Sequence, residues 1–345
     1  MLALRKPAPA PGLVLQDVPE PGDPGAGEVL VEVAAAGICG SDLHLDDWTP
    51  GYEFMAGAMP VTLGHEFSGR VAATGAGVQG LMRGQLVAVY PILHCRQCVN
   101  CVRGDTALCL NRRALGVTLD GGFARYVRAP AANCIPLAQG LDPALGALVE
   151  PLCIGDHANI VGEVKLGETV VVLGPGTIGQ AAARVARWRG ASRVVVVGLR
   201  DEARLATARA VGATHSIDLA STPDVLARFR ALTGLDHADV VIEATGHPAS
   251  IADGQRLLKK GGILVVAGIH AAPASLDLVT LVRQRQQVRG AHSSLRPSWD
   301  VMAQRIGDEP ESVRAMVSLS LPLSEALEGF ARCRKRDVSK VILQP

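Results

Sequence analysis

A chain of 345 residues is long enough for two domains, and its 48% hydrophobic residues can fill more than one core. The formal net charge of +1 argues against a nucleic-acid or membrane partner, either of which would need a concentrated basic face. Gly, Pro or charged residues interrupt every apolar stretch before the roughly 18 residues that a membrane span needs. The sequence starts without the apolar segment of a secretory signal, so we expect a cytoplasmic protein whose eight cysteines are reduced thiols.

Short Val-rich runs bounded by Gly or Pro predict strands at residues 28–33, 67–72 and 86–90. From about Gly167 the pattern changes to strands that alternate with helices. Strands are predicted at residues 169–173, 193–197, 239–243, 262–267 and 287–291, with helices at 178–189 and 202–211. Such alternation indicates a parallel sheet covered on both faces. The last predicted strand, 338–343, suggests that this α/β unit is inserted into a β-rich domain that ends at the C-terminus.

The Gly-rich turn Gly174-Pro-Gly176-Thr177-Ile178-Gly179 follows a predicted strand and opens a predicted helix. In that context it is the fingerprint of a dinucleotide-binding site. The first Gly makes the turn, the second admits the pyrophosphate, and the third allows the helix to pack closely. The alternative is an ordinary Gly-rich turn without a ligand.

The next strand ends in Val197-Gly198-Leu199-Arg200 and lacks the carboxylate that an NAD ribose would need. An Arg there can bind a 2′-phosphate in a bidentate manner, so the sequence favours NADP among the NAD(P) cofactors. We therefore place Leu199, Arg200 and Arg204 among the cofactor-binding residues. The alternative is that Arg200 is a solvated loop residue and Asp201 is the N-cap of the next helix.

Four cysteines lie close together in one loop, with the spacing Cys95-x2-Cys98-x2-Cys101-x7-Cys109. Four thiolates fit a closed, tetrahedral structural zinc site. An iron–sulfur cluster is the rival, but the bacterial cluster motif ends with a spacing of three residues followed by Pro. Here the final spacing is seven residues, and Leu110 follows the last Cys. We therefore predict a structural zinc ion.

A second set of candidate residues lies in Gly37-Ile-Cys39-Gly-Ser41-Asp-Leu-His44 and in Gly64-His65-Glu66. With the four-cysteine loop and the dinucleotide turn, these motifs resemble the zinc-containing medium-chain dehydrogenase/reductase family. The resemblance is strongest to the sorbitol (polyol) and threonine dehydrogenase branch, and it covers essentially the whole chain. It includes residues 122–126, 150–152 and 340–343.

The resemblance implies that Cys39 and His65 bind a catalytic zinc ion, with Glu66 and Glu150 at the other protein ligand positions. Related enzymes differ in which of these glutamates binds directly. It implies that Ser41 and His44 relay the proton of the alcohol. Two zinc ions are therefore expected in each subunit, one catalytic and one structural, and the catalytic ion is a Lewis acid that lowers the pKa of the alcohol.

The same resemblance implies an α/β architecture of two domains. A GroES-like β-rich catalytic domain is expected at residues 1–153 and 293–345, and a Rossmann domain with a doubly wound parallel sheet at 154–292. The active site is expected in the cleft between them, which can close to exclude water. The family also implies a homodimer or homotetramer with a small-molecule alcohol or ketone as its substrate.

The expected substrate is the secondary alcohol of a polyol, a sugar-like compound or a hydroxy-amino acid. Polyol dehydrogenases carry an aromatic–Arg–Tyr run where this chain has His292-Ser293-Ser294, and sorbitol enzymes carry Tyr at the position of Leu45. Both differences disfavour sorbitol itself. Two other functions are considered: a zinc-free quinone or enone reductase, which Cys39, His65 and Glu66 disfavour, and a non-catalytic nucleotide sensor, which the complete zinc-ligand set disfavours.

Overall fold

The N-terminal part of the chain is rich in short strands, as its Val-rich runs predict. The computed structural model describes residues 1–222 and 224–345. The strands of this part are β1 (Leu2–Lys6), β2 (Val14–Asp17), β3 (Glu28–Gly37), β4 (Val61–Thr62), β5 (Glu66–Thr74), β6 (Leu86–Val89), β7 (Ile92–Leu93), β8 (Arg113–Ala114), β9 (Tyr126–Pro130) and β10 (Cys134–Pro136). The helices are α1 (Gly40–Asp47), α2 (Val99–Val102) and α3 (Pro143–Gly146), with 3₁₀ turns at Glu53–Ala58, Thr106–Leu108 and Ala131–Asn133.

The central part alternates strands and helices, and the C-terminal part returns to mixed structure. The central elements are α4 (Val149–Val161), β11 (Thr169–Leu173), α5 (Thr177–Trp188), β12 (Arg193–Gly198), α6 (Glu202–Ala210), β13 (His215–Asp218), α7 (Val225–Thr233), β14 (Ala238–Glu243), α8 (Pro248–Leu257), β15 (Leu258–Val266), α9 (Leu278–Arg283) and β16 (Gln287–Gly290). The C-terminal elements are α10 (Arg296–Asp308), α11 (Glu311–Arg314), β17 (Val317–Pro322), a 3₁₀ turn at Leu323–Glu325, α12 (Ala326–Lys335) and β18 (Lys340–Gln344).

The C-terminal strand completes the N-terminal sheet. Within the described residues this sheet has seven strands in the order β10-β6-β5-β3-β18-β17, with β9 also paired to β3. Strand β18 runs antiparallel to β3, with Ile342 opposite Gly37 and Leu343 opposite Ala36. The α/β unit therefore lies, in chain order, between two groups of strands that share one sheet.

The central strands form a parallel sheet in the order β13-β12-β11-β14-β15-β16. This is the doubly wound order of a Rossmann fold, in which ligands bind beyond the carboxyl ends of the strands where the order reverses. Alternate residues of β11 serve two cores: Val170 and Val172 pack in one cluster, and Val171 and Leu173 in another. Helices therefore cover both faces, as predicted.

A third hydrophobic cluster joins the two sheets. It contains Tyr90 and Leu86 from the N-terminal part, Val185 from α5, and Trp299 and Met302 from α10. Helix α4 runs across the predicted domain boundary at residues 153/154, so the boundary positions remain a prediction. No helix in the described part of the chain is long and apolar enough to cross a membrane.

Candidate active site

Pairing of β3 with β5 brings the first candidate ligands together. Gly37 at the end of β3 is opposite Glu66 at the start of β5, and Cys39 follows as the N-cap of α1. A Cβ at position 37 would collide with the Glu66 carboxylate. A side chain at position 37 would therefore displace the Glu66 carboxylate from its place beside Cys39.

The ligand atoms of Cys39, His65 and Glu66 all lie within 4.8 Å of one another. His65 and Glu66 are buried, and Glu66 Oε1 has no hydrogen-bond partner among the described residues. A thiolate, an imidazole and a carboxylate form a donor set that zinc accepts. The site therefore fits the predicted catalytic ion, which when bound would act as a Lewis acid toward a hydroxyl group.

Glu150 lies in the first turn of α4 and is 7% exposed. Burial, together with the nearby carboxylate of Glu66, raises its pKa to about 7. Glu150 is not in the set of three whose ligand atoms converge. The structure thus groups Glu66 with Cys39 and His65, while direct binding by either glutamate remains a prediction.

Asp42 is a site residue that the sequence analysis missed. It is fully buried in α1, its Oδ2 accepts the Cys39 backbone N–H at 2.9 Å, and its Oδ1 lies 3.7 Å from His65 Nδ1. Burial raises the pKa of Asp42 to about 6, although His65 opposes this shift. The signal in the sequence was that Asp42 comes three residues after Cys39, which is the spacing of a capping box at a helix N-terminus.

Lys340 is the second missed residue. It is buried at the start of β18, where Nζ donates to the Ile38 carbonyl at 2.8 Å and forms an ion pair with Glu66. The signal was a single charged residue leading the apolar run Lys340-Val-Ile-Leu343. Buried Lys is rare unless it is paired, so its presence in such a run points to a buried acid.

The acidic groups around His65 make the electrostatic environment of the site favourable for a positive charge. Burial works to lower the pKa of His65, but the charges of Asp42 and Cys39 outweigh it and raise that pKa well above its ordinary value. Glu150 contributes in the same direction. A divalent cation among these groups would satisfy the same electrostatic demand.

Ser41 and His44, the two predicted relay residues, lie in different surroundings. Ser41 Oγ lies 3.3 Å from His65 Nε2, directly beside the metal site. His44 Nδ1 lies 3.3 Å from Thr49 Oγ1, and its ring stacks on Tyr52 with the centroids 5.9 Å apart. Among the described residues no hydrogen bond joins Ser41 to His44, so a proton passing between them would need an intervening group.

The four-cysteine loop forms a compact cluster. The sulfurs of Cys95, Cys98, Cys101 and Cys109 all lie within 4.8 Å of one another. The Cys95–Cys109 and Cys95–Cys101 sulfur distances are 3.5 Å and 4.0 Å. Four thiolates bound tetrahedrally at about 2.3 Å from zinc are about 3.8 Å apart, so the cluster fits a structural zinc ion.

The Gly-rich turn lies between β11 and α5, at the point where the strand order reverses. Gly176 is the N-cap of α5, and a Cβ there would meet nothing within 4 Å. A Cβ on Gly179 would collide with the Gly174 carbonyl. Gly176 therefore leaves the helix N-terminus open to a phosphate, while Gly179 allows close packing. Thr177 and Ile178 form the first turn of this helix.

The segment after β12 contains the residues predicted to determine whether NADP or NAD is preferred. Leu199 is 53% exposed, and Arg200 is exposed with a φ of +55° and a backbone N–H held by Asp218 Oδ1 at 2.9 Å. Arg204 instead donates from Nε to the Val338 carbonyl at 2.8 Å. The guanidinium of Arg204 is thus already engaged by the chain, and its contact with a cofactor remains a prediction.

Comparison with known proteins covers the whole chain. The family "Alcohol dehydrogenase GroES-like domain" matches residues 25–139, and "Zinc-binding dehydrogenase" matches residues 177–308. The chain is 33% identical to L-threonine 3-dehydrogenase of Bacillus subtilis, covering 100% of this chain and 99% of that protein. It is 34% identical to sorbitol dehydrogenase of Halalkalibacterium halodurans, covering 96% of this chain and 95% of that protein.

Solved structures give the same result. A zinc-binding dehydrogenase from Sinorhizobium meliloti bound to NADP is 30% identical, with a TM-score of 0.89 over 100% of this chain and 99% of that chain. A 2R,3R-butanediol dehydrogenase from Bacillus subtilis is 27% identical, with a TM-score of 0.89 over 100% and 99% of the two chains. The predicted combination of GroES-like and Rossmann folds is confirmed.

Proposed function

Because this chain belongs to the zinc-containing medium-chain dehydrogenase/reductase family of NAD(P)-dependent alcohol dehydrogenases, we propose that it oxidises or forms a secondary alcohol, using NADP. The observation that carries this proposal is the convergence of Cys39, His65 and Glu66 within 4.8 Å. Neither a zinc-free quinone or enone reductase nor a nucleotide sensor requires such a buried donor set.

The proposed substrate class is a polyol, a sugar-like alcohol or a hydroxy-amino acid. L-threonine, sorbitol and 2R,3R-butanediol, which name three of the similar proteins, each carry a hydroxyl beside a second polar substituent. The nicotinamide ring supplies the hydride acceptor. Ser41, beside His65, would take the hydroxyl proton, and an intervening group would carry it to His44 and from there to solvent.

The test is a panel of secondary alcohols, polyols, sugar acids and threonine, assayed with both cofactors on the zinc-loaded enzyme. Cys39→Ala serves as the matched inactive control. We expect turnover with at least one compound that has neighbouring polar groups, and none with the variant. Nucleotide binding without turnover of any compound would instead favour the sensor.

NADP preference is supported by Leu199 and Arg200, which follow β12 where an NAD-binding strand would end in a carboxylate. We expect kcat/KM with NADP to exceed that with NAD by at least about tenfold, or ~1.4 kcal/mol. Arg200→Ala should remove most of this difference by weakening NADP alone, and Leu199→Asp should favour NAD. Equal efficiencies in the unmodified enzyme would reduce Arg200 to a solvated loop residue.

We further propose a cytoplasmic homodimer or homotetramer. Eight cysteines without a disulfide among them support a reducing compartment. Strand β16 lies at the edge of the parallel sheet, and α9 beside it exposes Leu278, Val279 and Val282 by 61% or more. Light scattering coupled to size exclusion would measure the assembly, and a monomer would contradict this proposal.

A further inference from the structure

The turn formed by residues 336–339, between α12 and β18, packs against the dinucleotide-binding face. Thr177 Oγ1 donates to the Ser339 carbonyl at 3.0 Å, and Gln180 Nε2 donates to Ser339 Oγ at 2.7 Å. Arg204 Nε donates to the Val338 carbonyl at 2.8 Å. A segment of the β-rich domain thus reaches both the start of α5 and the first turn of α6.

Arg336 occupies a position in this turn that suits Gly better than Arg. It ends α12 with a φ of +60°, a left-handed conformation that Gly adopts without the steric cost of a Cβ. Its guanidinium pairs with Asp201 Oδ2 at 2.5 Å. The Asp201 side chain is 1% exposed, whereas that of Arg336 is 57% exposed. One side of the guanidinium is therefore fixed by a buried acid, and the rest faces solvent.

Most charges around the end of β12 are paired within the chain. The guanidinium groups of Arg200, Arg204 and Arg336 lie near the carboxylates of Asp201 and Asp218, while the adjacent Glu202 and Asp337 pair with Arg209 and Arg332. Arg204 is bound to backbone carbonyls, and burial lowers its pKa. Asp201 is compensated by Arg336, and Asp218 accepts backbone N–H groups. The exposed cations available to an outside anion are therefore Arg200 and Arg336.

We propose that Arg336 binds the adenosine 2′-phosphate of NADP together with Arg200, so that both domains hold the same phosphate. This inference rests on the proposed NADP preference. Asp201 is the positioning residue, because its buried carboxylate fixes the guanidinium at the edge of the cofactor crevice. Two guanidinium groups can give a phosphate dianion charge-assisted hydrogen bonds that one alone cannot.

The experiment measures binding of 2′,5′-ADP and of 5′-AMP to the zinc-loaded full chain by calorimetry. The two ligands differ only in the 2′-phosphate. The variant is Arg336→Gly, which suits the left-handed backbone and so removes the side chain without adding strain. The control is Lys335→Ala, which removes one exposed positive charge from the neighbouring position. Thermal melting of each variant verifies its fold.

We expect Arg336→Gly to weaken 2′,5′-ADP by about tenfold, within the range of a charged hydrogen bond, and to change 5′-AMP less than about twofold. Lys335→Ala should leave both ligands unchanged. Equal weakening of both ligands would make Arg336 a structural clamp and overturn the inference. Loss of 2′-phosphate preference in Arg200→Ala but not in Arg336→Gly would overturn it while leaving NADP preference intact. No preference for 2′,5′-ADP in the wild type would instead overturn the NADP proposal itself.

Discussion

Lys340 and Glu66 form a buried ion pair that joins the last strand of the chain to a candidate metal ligand. The two side chains are 2% and 0% exposed, and Lys340 also donates to the Ile38 carbonyl at 2.8 Å. Glu66 thus has one oxygen held by Lys340 and the other, Oε1, directed to no protein partner among the described residues. Lys340 orients the carboxylate and leaves one of its oxygens available to a cation.

Replacing Lys340 with Met should destabilise the protein strongly. The substitution leaves a buried carboxylate without its cation, and breaking such a pair from one side costs about 3–5 kcal/mol. Urea unfolding would measure the change in the free energy of unfolding. Lys335→Met, at an exposed position nearby, is the control and should cost less than about 0.5 kcal/mol. A loss for Lys340→Met no larger than the control would contradict a stabilising ion pair.

The contribution of Lys340 to the free energy of unfolding should also depend on pH in a defined direction. Burial works to lower the pKa of Lys340, but Glu66 and Cys39 raise it above its ordinary value. Because the folded-state pKa is above the unfolded value of about 10.4, the stabilisation is complete below that pH and is lost as pH rises through the folded pKa. The difference between wild type and Lys340→Met should therefore stay constant from about pH 7 to 9 and shrink only above about pH 10.4. A difference in the free energy of unfolding that already decreases from pH 7 to pH 9 would contradict a raised pKa for Lys340.

Metal analysis should find close to two zinc ions per subunit, one in each donor set. Cys39→Ala should remove one ion and all turnover while the protein remains folded. Cys98→Ser should instead lower the thermal stability, because a structural zinc ion contributes directly to folding. Full turnover in Cys39→Ala would exclude Cys39 from the catalytic site.

Asp42→Asn should weaken zinc binding at the catalytic site by about 10- to 100-fold, the usual effect of removing a carboxylate that orients a ligating His. The amide keeps the hydrogen bond to the Cys39 backbone but loses the charge that faces His65. Competition with a chelator would measure the affinity. Asp47→Asn, on the same helix but exposed, is the control. Equal zinc affinities in the two variants would make Asp42 a helix-capping residue only.

His44→Ala should lower kcat by about 10- to 100-fold, mainly at neutral or mildly acidic pH, if His44 relays the proton. The partner Thr49 offers a useful comparison, since Thr49→Val removes the hydroxyl beside His44 Nδ1 but keeps the imidazole. A pH–rate profile that His44→Ala leaves unchanged would make His44 a structural residue that stacks on Tyr52.

Removal of the structural zinc should expose thiols of very different reactivity. Backbone N–H groups of Gln97 and Cys98 lower the pKa of Cys95 to about 6, so Cys95 is largely thiolate at neutral pH. Desolvation and neighbouring sulfurs raise the pKa of Cys101 to about 12. Iodoacetamide at pH ~7 should therefore alkylate Cys95 well before Cys101 in the chelated protein, as peptide mass spectrometry would show. Equal rates would contradict this difference.

Local sequence pattern was enough to predict most strands of the parallel sheet. Strand β11 has the predicted bounds, residues 169–173, because a continuous apolar run between Gly residues has no competing structure. Strand β13, His215–Asp218, was missed because its four residues alternate too briefly and include charge. It is held in place by its neighbour β12, a tertiary effect that no window of sequence contains.

Only part of the site was predicted, because contacts between distant strands cannot be seen in the local sequence. Cys39, His65 and Glu66 were identified by their resemblance to a family, and the structure brings them together through strand pairing. Lys340 was not identified, because its role depends on β18 lying beside β3, more than 300 residues away in sequence. Arg336 was missed because a charged residue at a helix end usually faces solvent.

The position of β18 between β3 and β17 has a consequence for the order of events during synthesis. Strands β3 and β5 leave the ribosome early, but the strand that lies between β3 and β17 is made after the whole dinucleotide-binding sheet. The dinucleotide-binding sheet can finish folding while the chain is still growing, since domains generally fold as units from the N-terminal side. Until β18 emerges, the nascent Glu66 has no Lys340 to neutralise it, so the candidate metal site can form only after the dinucleotide-binding sheet has been made.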